Sequence, residues 1–175
     1  MGTIGELEVS ATDDRWEIVK VAWGWCAVAR SERGLTRISL PASRAEAQAA
    51  VTAWGERRRN DPLLRETGAL LVEYFDGEPV QFELPLDLRG VGAFDLRVLQ
   101  ACGRVPYGAT ISYGRLAQMA GSPRGARAAG RALGRNPLPV VIPCHRVIGS
   151  DGRLVGFGGG LELKRRLLTL EGAAV

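Results

Sequence analysis

A chain of 175 residues, 46% of them hydrophobic, is long enough for one ordinary domain or two small ones and apolar enough to build a core, which excludes a disordered chain. No stretch approaches the roughly 18 to 20 unbroken apolar residues of a membrane span, and Met1-Gly2-Thr3-Ile4-Gly5-Glu6 lacks the basic and apolar regions of a signal peptide, so a cytoplasmic or nucleoid-associated protein without a membrane partner is expected. The net charge of +4 hides an asymmetry: residues 101–150 hold Arg104, Arg115, Arg124, Arg127, Arg131, Arg135 and Arg146 with no acid, whereas the other 125 residues sum to −3, so one region is built to meet a polyanion.

In chain order, alternation and β-branched residues from Trp16 to Ala29, the turn Ser31-Glu32-Arg33-Gly34, and Leu35 to Leu40 predict antiparallel strands joined by tight turns. The Ala-rich run from Ser43 to about Arg59 predicts a helix with Ser43 near its N-cap. The Arg57-Arg58-Arg59 cluster then reads as a solvated end favoured by the helix dipole. Pro62 to about Phe75 predicts a second helix, and Val80 to Leu84 a returning strand. Glycine and polar residues break the periodicity at Asp87-Leu88-Arg89-Gly90-Val91-Gly92, which places a boundary between domains 1–88 and 89–175. The first is an α/β domain with a small antiparallel sheet plus helices, and the second is mainly helical.

Phe94, Val98, Leu99 and Cys102 repeat at helical spacing, so Cys102, like Cys26 in its apolar strand, reads as a small core residue. Ser112 can cap a helix that runs to about Ala120 and ends at Gly121. Ser122-Pro123 then opens another helix, to about Gly134, and two helices across so tight a turn form a helix-turn-helix. Arg124, Arg127, Arg131 and Arg135 make one stripe on this second helix, while Gly125, Ala126, Ala128, Ala129, Gly130, Ala132 and Gly134 keep it thin. Each glycine costs a helix up to about 1 kcal/mol relative to alanine, so thinness must gain something: close approach to a nucleic-acid groove, or tight packing on its own domain.

The only histidine follows a cysteine in Val140-Val141-Ile142-Pro143-Cys144-His145-Arg146-Val147-Ile148. Three cysteines without a CxxC pair, and one histidine, are too few soft ligands for zinc, so free thiols and no metal are expected. A thiol with an ordinary pKa of about 8.5 is mostly protonated at neutral pH, and a neighbouring histidine or arginine raises its thiolate fraction. Cys144 has both beside it in sequence. In an extended segment, however, neighbours point to opposite sides, so His145 reaches the sulfur through a water or only if the chain turns at the cysteine. A third group should orient the imidazole, and Asp151, Glu162 and Glu171 are the downstream candidates.

Pro143-Cys144-His145-Arg146-Val147-Ile148-Gly149, preceded by Asn136-Pro137-Leu138-Pro139 and Ala126-Arg127-Ala128-Ala129-Gly130 and followed by Gly156-Phe157-Gly158-Gly159-Gly160-Leu161, resembles the signature of the O6-alkylguanine-DNA alkyltransferases, also called methylated-DNA–protein-cysteine methyltransferases. Val105-Pro106-Tyr107-Gly108 and Ser112-Tyr113-Gly114 extend the match over residues 94–171, and the strand and helix order before it is similar to that family's ribonuclease H-like domain. The resemblance implies suicidal transfer of the alkyl group of O6-alkylguanine, and by extension O4-alkylthymine, from double-stranded DNA to Cys144. The base would be flipped from the minor groove, because an alkyl carbon inside a stacked duplex is out of a thiol's reach.

It further implies that His145 is the water-linked base, Glu171 the acid that orients it, Asn136 a brace between recognition helix and active-site segment, and Tyr113 a proton donor to the departing guanine. Arg127 matches the residue that replaces the flipped base in the stack, with Arg124, Ala126, Ala128, Gly130, Arg131 and Tyr113 along the DNA. The pocket would include Cys144, Val147, Phe157, Gly158 and Gly159, with backbone groups of Cys144, Val147 and Gly158 on the base. No cofactor is implied, and the protein is expected to be a monomer in solution, with or without clustering on DNA. Phe157 and Gly158 stand where many relatives carry tyrosine and a larger residue, which predicts room for bulkier alkyl groups. Rival readings are a lesion-binding alkyltransferase-like protein, which lacks the cysteine present here, a helix-turn-helix regulator, and a Cys-His hydrolase, against which the arginine stripe argues.

Overall fold

The computed structural model describes residues 14–57 and 60–174. Strands β1 (Arg15–Val21) and β2 (Gly24–Arg30) pair antiparallel across a two-residue turn, and β3 (Leu35–Ile38) pairs antiparallel with β2. Alternation then sorts the side chains. Trp16 and Ile18 of β1 join Ala27 and Ala29 of β2 on one face, and Val21, Cys26 and Val28 enter the main core on the other.

Helix α1 (Arg44–Ala50) covers the first face with Ala47. Its start is as read: Ser43 caps Glu46 N–H while Glu46 returns a bond to Ser43 N–H, a reciprocal capping box. Its end is not. The helix stops at Ala50 and tightens into a 3-10 turn over Val51–Ala53. The chain then turns at Gly55, which has φ +94°, into β4 (Glu56–Arg57), parallel to β1. The expected helix to Arg59 is thus cut short, because Trp54 must return to the sheet cluster; Arg58 and Arg59 lie outside the described residues. The sheet order is β3-β2-β1-β4, mixed rather than wholly antiparallel.

Helix α2 (Pro62–Phe75) covers the other face. Proline suits its first position, and Asp61, capping Leu63 and Leu64 N–H, is held by Arg30 at 3.0 Å. Gly68 lets the helix approach β1, since a Cβ there would sit 3.0 Å from Val19 Cγ2. The expected strand at Val80 to Leu84 does not form. Pro79 and Pro85 flank it and remove donors, and the edge of β3 is met instead at Pro85 to Asp87, where Leu35 N–H bonds Pro85 O and Asp87 N–H bonds Leu35 O.

Beyond Gly92 come α3 (Ala93–Cys102), β5 (Ile111–Ser112), α4 (Tyr113–Met119), α5 (Ala126–Leu133), a 3-10 turn at Cys144–Arg146, β6 (Val147–Ile148) parallel to β5, and α6 (Gly160–Leu170). Ser112 caps α4 through Arg115 N–H, and Gly121 (φ +76°) ends it. Helix α5 begins later than its Ser-Pro signal. Ser122 to Gly125 form a turn, closed by Gly125 N–H on Ser122 O, so Arg124 precedes the helix and Arg135 follows it. Cys102 and Cys26 are core residues. One buried cluster runs from β1 and β2 through α2 and α3 to α6, so the two halves share a core.

Candidate active site and nucleic-acid interface

The segment between α5 and Cys144 is folded back on itself. Asn136 donates from Nδ2 to Ile142 O (2.8 Å) and accepts Leu138 N–H at Oδ1 (3.0 Å), closing a loop in which Val140 adopts φ +74°. A β-branched residue pays strain for that conformation, so the brace decides the loop's shape. Pro143 then leads into the 3-10 turn, so the chain bends at Cys144 and His145 and is not extended there.

Cys144 is 8% exposed and lines a cavity of about 640 Å³ with Tyr113, Arg127, Gly130, Phe157 and Gly158. Ala126 and Arg131 also border it. Of the other residues expected near it, Arg124 is exposed on the turn before α5 and Ala128 is half-buried on α5, neither on the wall. Val147 is fully buried behind the site, and Gly159 is pressed against the Leu40 and Leu163 side chains. The Gly130 backbone lies against the Tyr113 ring, so the thin helix packs on its own domain at this point. Tyr113 OH donates to Val155 O at 3.1 Å, and a Cβ on Gly158 would meet nothing within 4 Å.

Burial pushes the Cys144 thiol up. A hydrogen bond from Asn136, the Lys164 charge and the backbone N–H groups of Cys144 and His145 pull the other way. Arg146, expected to activate the thiol, does not. It is buried and donates from Nε and Nη2 to Glu171 (2.8 and 3.0 Å) and from Nη1 to Val105 O (2.6 Å). Arg135 likewise leaves the expected stripe, paired with Asp95 at 2.6 Å. Arg104, Arg115, Arg124, Arg127 and Arg131 remain without an acid among the described residues.

Of the three downstream acids, Glu171 is the one on the histidine. His145 Nε2 lies 2.7 Å from Glu171 Oε1, both side chains fully buried. That fixes the proton on Nε2 and leaves Nδ1 free to accept one; Nδ1 is the only buried side-chain nitrogen or oxygen without a partner among the described residues. Burial would raise the Glu171 pKa, but bonds from His145 and Arg146 outweigh it and hold the group at about 2. For His145 burial dominates over Glu171, so its pKa is lowered and the imidazole is neutral at pH 7.

Two buried groups were not legible as functional. Tyr74, on α2, donates to Glu171 Oε1 at 2.7 Å. Lys164 donates to Val147 O (2.6 Å) and Val155 O (2.9 Å), tying the active-site strand to the loop over the cavity, and burial lowers it to about 8. Periodicity could have flagged Lys164: with Leu167, Leu168 and Glu171 it forms the buried face of α6 and the residue after it. Nothing local marks Tyr74 as a partner of Glu171, 97 positions away.

Comparison with known proteins identifies this arrangement. The family model described as 6-O-methylguanine DNA methyltransferase, ribonuclease-like domain matches residues 15–88, and that of the same family's DNA binding domain matches residues 93–173. The constitutive methylated-DNA–protein-cysteine methyltransferase of Bacillus subtilis is 40% identical over 85% of this chain and 89% of its own. The methylated-DNA–protein-cysteine methyltransferase of Mycolicibacterium paratuberculosis is 53% identical over 69% and 70%. The crystal structure of Mycobacterium tuberculosis OGT in complex with DNA superposes with a TM-score of 0.76 at 37% identity, covering 90% of this chain and 92% of that one. The chain belongs to the 6-O-methylguanine DNA methyltransferase family, with both its ribonuclease-like and its DNA-binding domain, and is a DNA-repair methyltransferase of the methylated-DNA–protein-cysteine class.

Proposed function

We propose that the chain, with its domain boundary between residues 88 and 89, acts as a monomer on double-stranded DNA, flips O6-alkylguanine out through the minor groove and takes the alkyl group onto Cys144, once per molecule. The observation that carries this reading is the position of Cys144 on the wall of a mostly apolar cavity that Arg127 and Arg131 of helix α5 border. An alkylated base can enter such a cavity only when unstacked. The exposure of Arg127 on the first turn of α5 supports a role in filling the gap the base leaves, and the exposure of Arg124 and Arg131 supports phosphate contacts.

In the transfer step the Cys144 S–C bond forms as the C–O6 bond breaks. The thiol proton passes through water to His145 Nδ1, whose Nε2–H is held by Glu171. Tyr113, released from Val155 O, gives its hydroxyl proton to the departing guanine, which then leaves neutral. The Asn136 hydrogen bond supports the thiolate while its brace shapes the loop. The product is a thioether, a poor leaving group, and no residue of the site is equipped to remove it. Open space at Gly158 supports acceptance of alkyl groups larger than methyl, and O4-alkylthymine presents the same oxygen-bound alkyl carbon.

The test is a duplex in which O6-methylguanine blocks a restriction site. Stoichiometric protein should restore cleavage and Cys144→Ala should not; restoration by Cys144→Ala would overturn the reading, and tight lesion binding without restoration by the unaltered chain would favour a binding-only protein.

A further inference from the structure

Glu171 Oε1 accepts three bonds: from His145 Nε2 at 2.7 Å, from Arg146 Nη2 at 3.0 Å and from Tyr74 OH at 2.7 Å. Oε2 takes Arg146 Nε at 2.8 Å and Gly108 N–H at 3.1 Å. Every donor except Tyr74 comes from the DNA-binding domain. Tyr74 lies in the last turn of α2, fully buried, its ring edge-on to Phe75 and Tyr107, which leaves the hydroxyl one direction to point. Its oxygen is also 3.3 Å from His145 Nε2. The ribonuclease-like domain therefore places a hydroxyl on the oxygen atom that orients the histidine.

We propose that Tyr74 is a positioning residue of the transfer reaction, contributed by the N-terminal domain, whose hydroxyl orients the Glu171 carboxylate and tunes how strongly it holds His145. This rests on the reading of His145 as the base for Cys144. A donor on Oε1 draws negative charge away from the bond to Nε2, so the carboxylate stabilises an imidazolium less. His145 then stays neutral and able to accept the thiol proton to lower pH. The other charges facing this pair are Arg146, the last residue of the cysteine turn, and Lys164 of α6, both opposing an imidazolium; Tyr107 stands by uncharged. Tyr74 itself is held protonated by burial and by Glu171, so it serves as a fixed donor across the working range.

The pH profile of single-turnover methyl transfer separates tuning from packing, and the lone histidine gives one imidazole ¹⁵N signature to titrate beside it. In Tyr74→Phe, which keeps the ring, the low-pH limb and the His145 titration should both move up by about half to one pH unit. That is a loss of about three- to tenfold at a pH on the limb, shrinking as pH rises. A ring-fluorinated tyrosine at position 74 donates more strongly and should move both down; it decides the matter if Tyr74→Phe does not fold. Limb and resonance unmoved in the folded variants, or moved in the opposite sense, would overturn the proposal. If the unaltered chain takes no methyl on Cys144, the functional reading fails and the role of Tyr74 in transfer is overturned with it, whereas the ¹⁵N titration shows separately whether its hydroxyl tunes His145.

Discussion

Glu171 and His145 are ionisable side chains buried from bulk solvent, and their shifts govern part of how the molecule responds to acid. Both pKa values are lower in the folded chain than in the unfolded one, so the unfolded state binds more protons as pH falls. Stability is full above the ordinary histidine value of about 6.5 and is lost first below it, then again from about 4.5 down to about 2. Thermal melts from pH 8 to pH 4 should show Tm falling below about pH 6.5, with a shallower fall in Glu171→Gln below pH 4.5; a flat profile would contradict the dominance of burial at His145 and the pairing of Glu171. Arg127 is exposed and borders the cavity, which supports the proposed contact with the duplex. Arg127→Ala should slow transfer from a duplex lesion at least about tenfold while leaving transfer from free O6-benzylguanine near its original rate. Gly158→Ser should lower the rate with benzylguanine relative to methylguanine, because its Cβ and hydroxyl enter open cavity space; an unchanged ratio in competition assays would refute that.

At the scale of elements, the sequence was most informative where a local rule acts alone. The capping box of α1 and the Asp61 cap and proline start of α2 follow from side chains within four positions of each other. The Ser-Pro signal before α5 misled because Gly125 closes a turn on Ser122 first, which shifts the helix start to Ala126. The strand expected at Val80 to Leu84 does not form because Pro79 and Pro85 flank it and the edge of β3 is taken by Pro85 to Asp87 instead, so only half of the reason was written in the local sequence. Likewise Cys144, His145 and Asn136 could be proposed from their motif, and Glu171 only through the family resemblance, whereas the turning away of Arg146 and Arg135 depends on acids brought from Glu171 and Asp95. The loop from Asn136 to Pro143 is the element on which the site depends most. Asn136→Ala removes two hydrogen bonds at a strained turn and should cost about 2 kcal/mol in urea unfolding, and raise the Cys144 pKa further in a thiol-alkylation pH titration. A change below about 0.5 kcal/mol would show that Val140 holds its conformation unaided.

As a whole, the molecule is two domains with one core. Ile38 N–H bonds Pro137 O, Leu40 packs on Gly159, and Tyr74 reaches Glu171, so the ribonuclease-like half buttresses the reactive half at several points. This joint was illegible in the sequence because no local pattern records which buried faces meet. All four tryptophans lie in the N-terminal half and the only histidine in the other, which gives each half its own probe. Tryptophan fluorescence and the His145 imidazole signal should therefore report one coincident unfolding transition in denaturant; separated midpoints would mean that the halves unfold independently. If Cys144 takes the alkyl group, the protein itself becomes the product. Intact mass spectrometry after incubation with a duplex containing O6-methylguanine should then show a gain of one methylene per chain, located on Cys144, that saturates at one equivalent of lesion and is absent in Cys144→Ala. An unchanged mass with the lesion consumed, or repair of many lesions per chain, would contradict it.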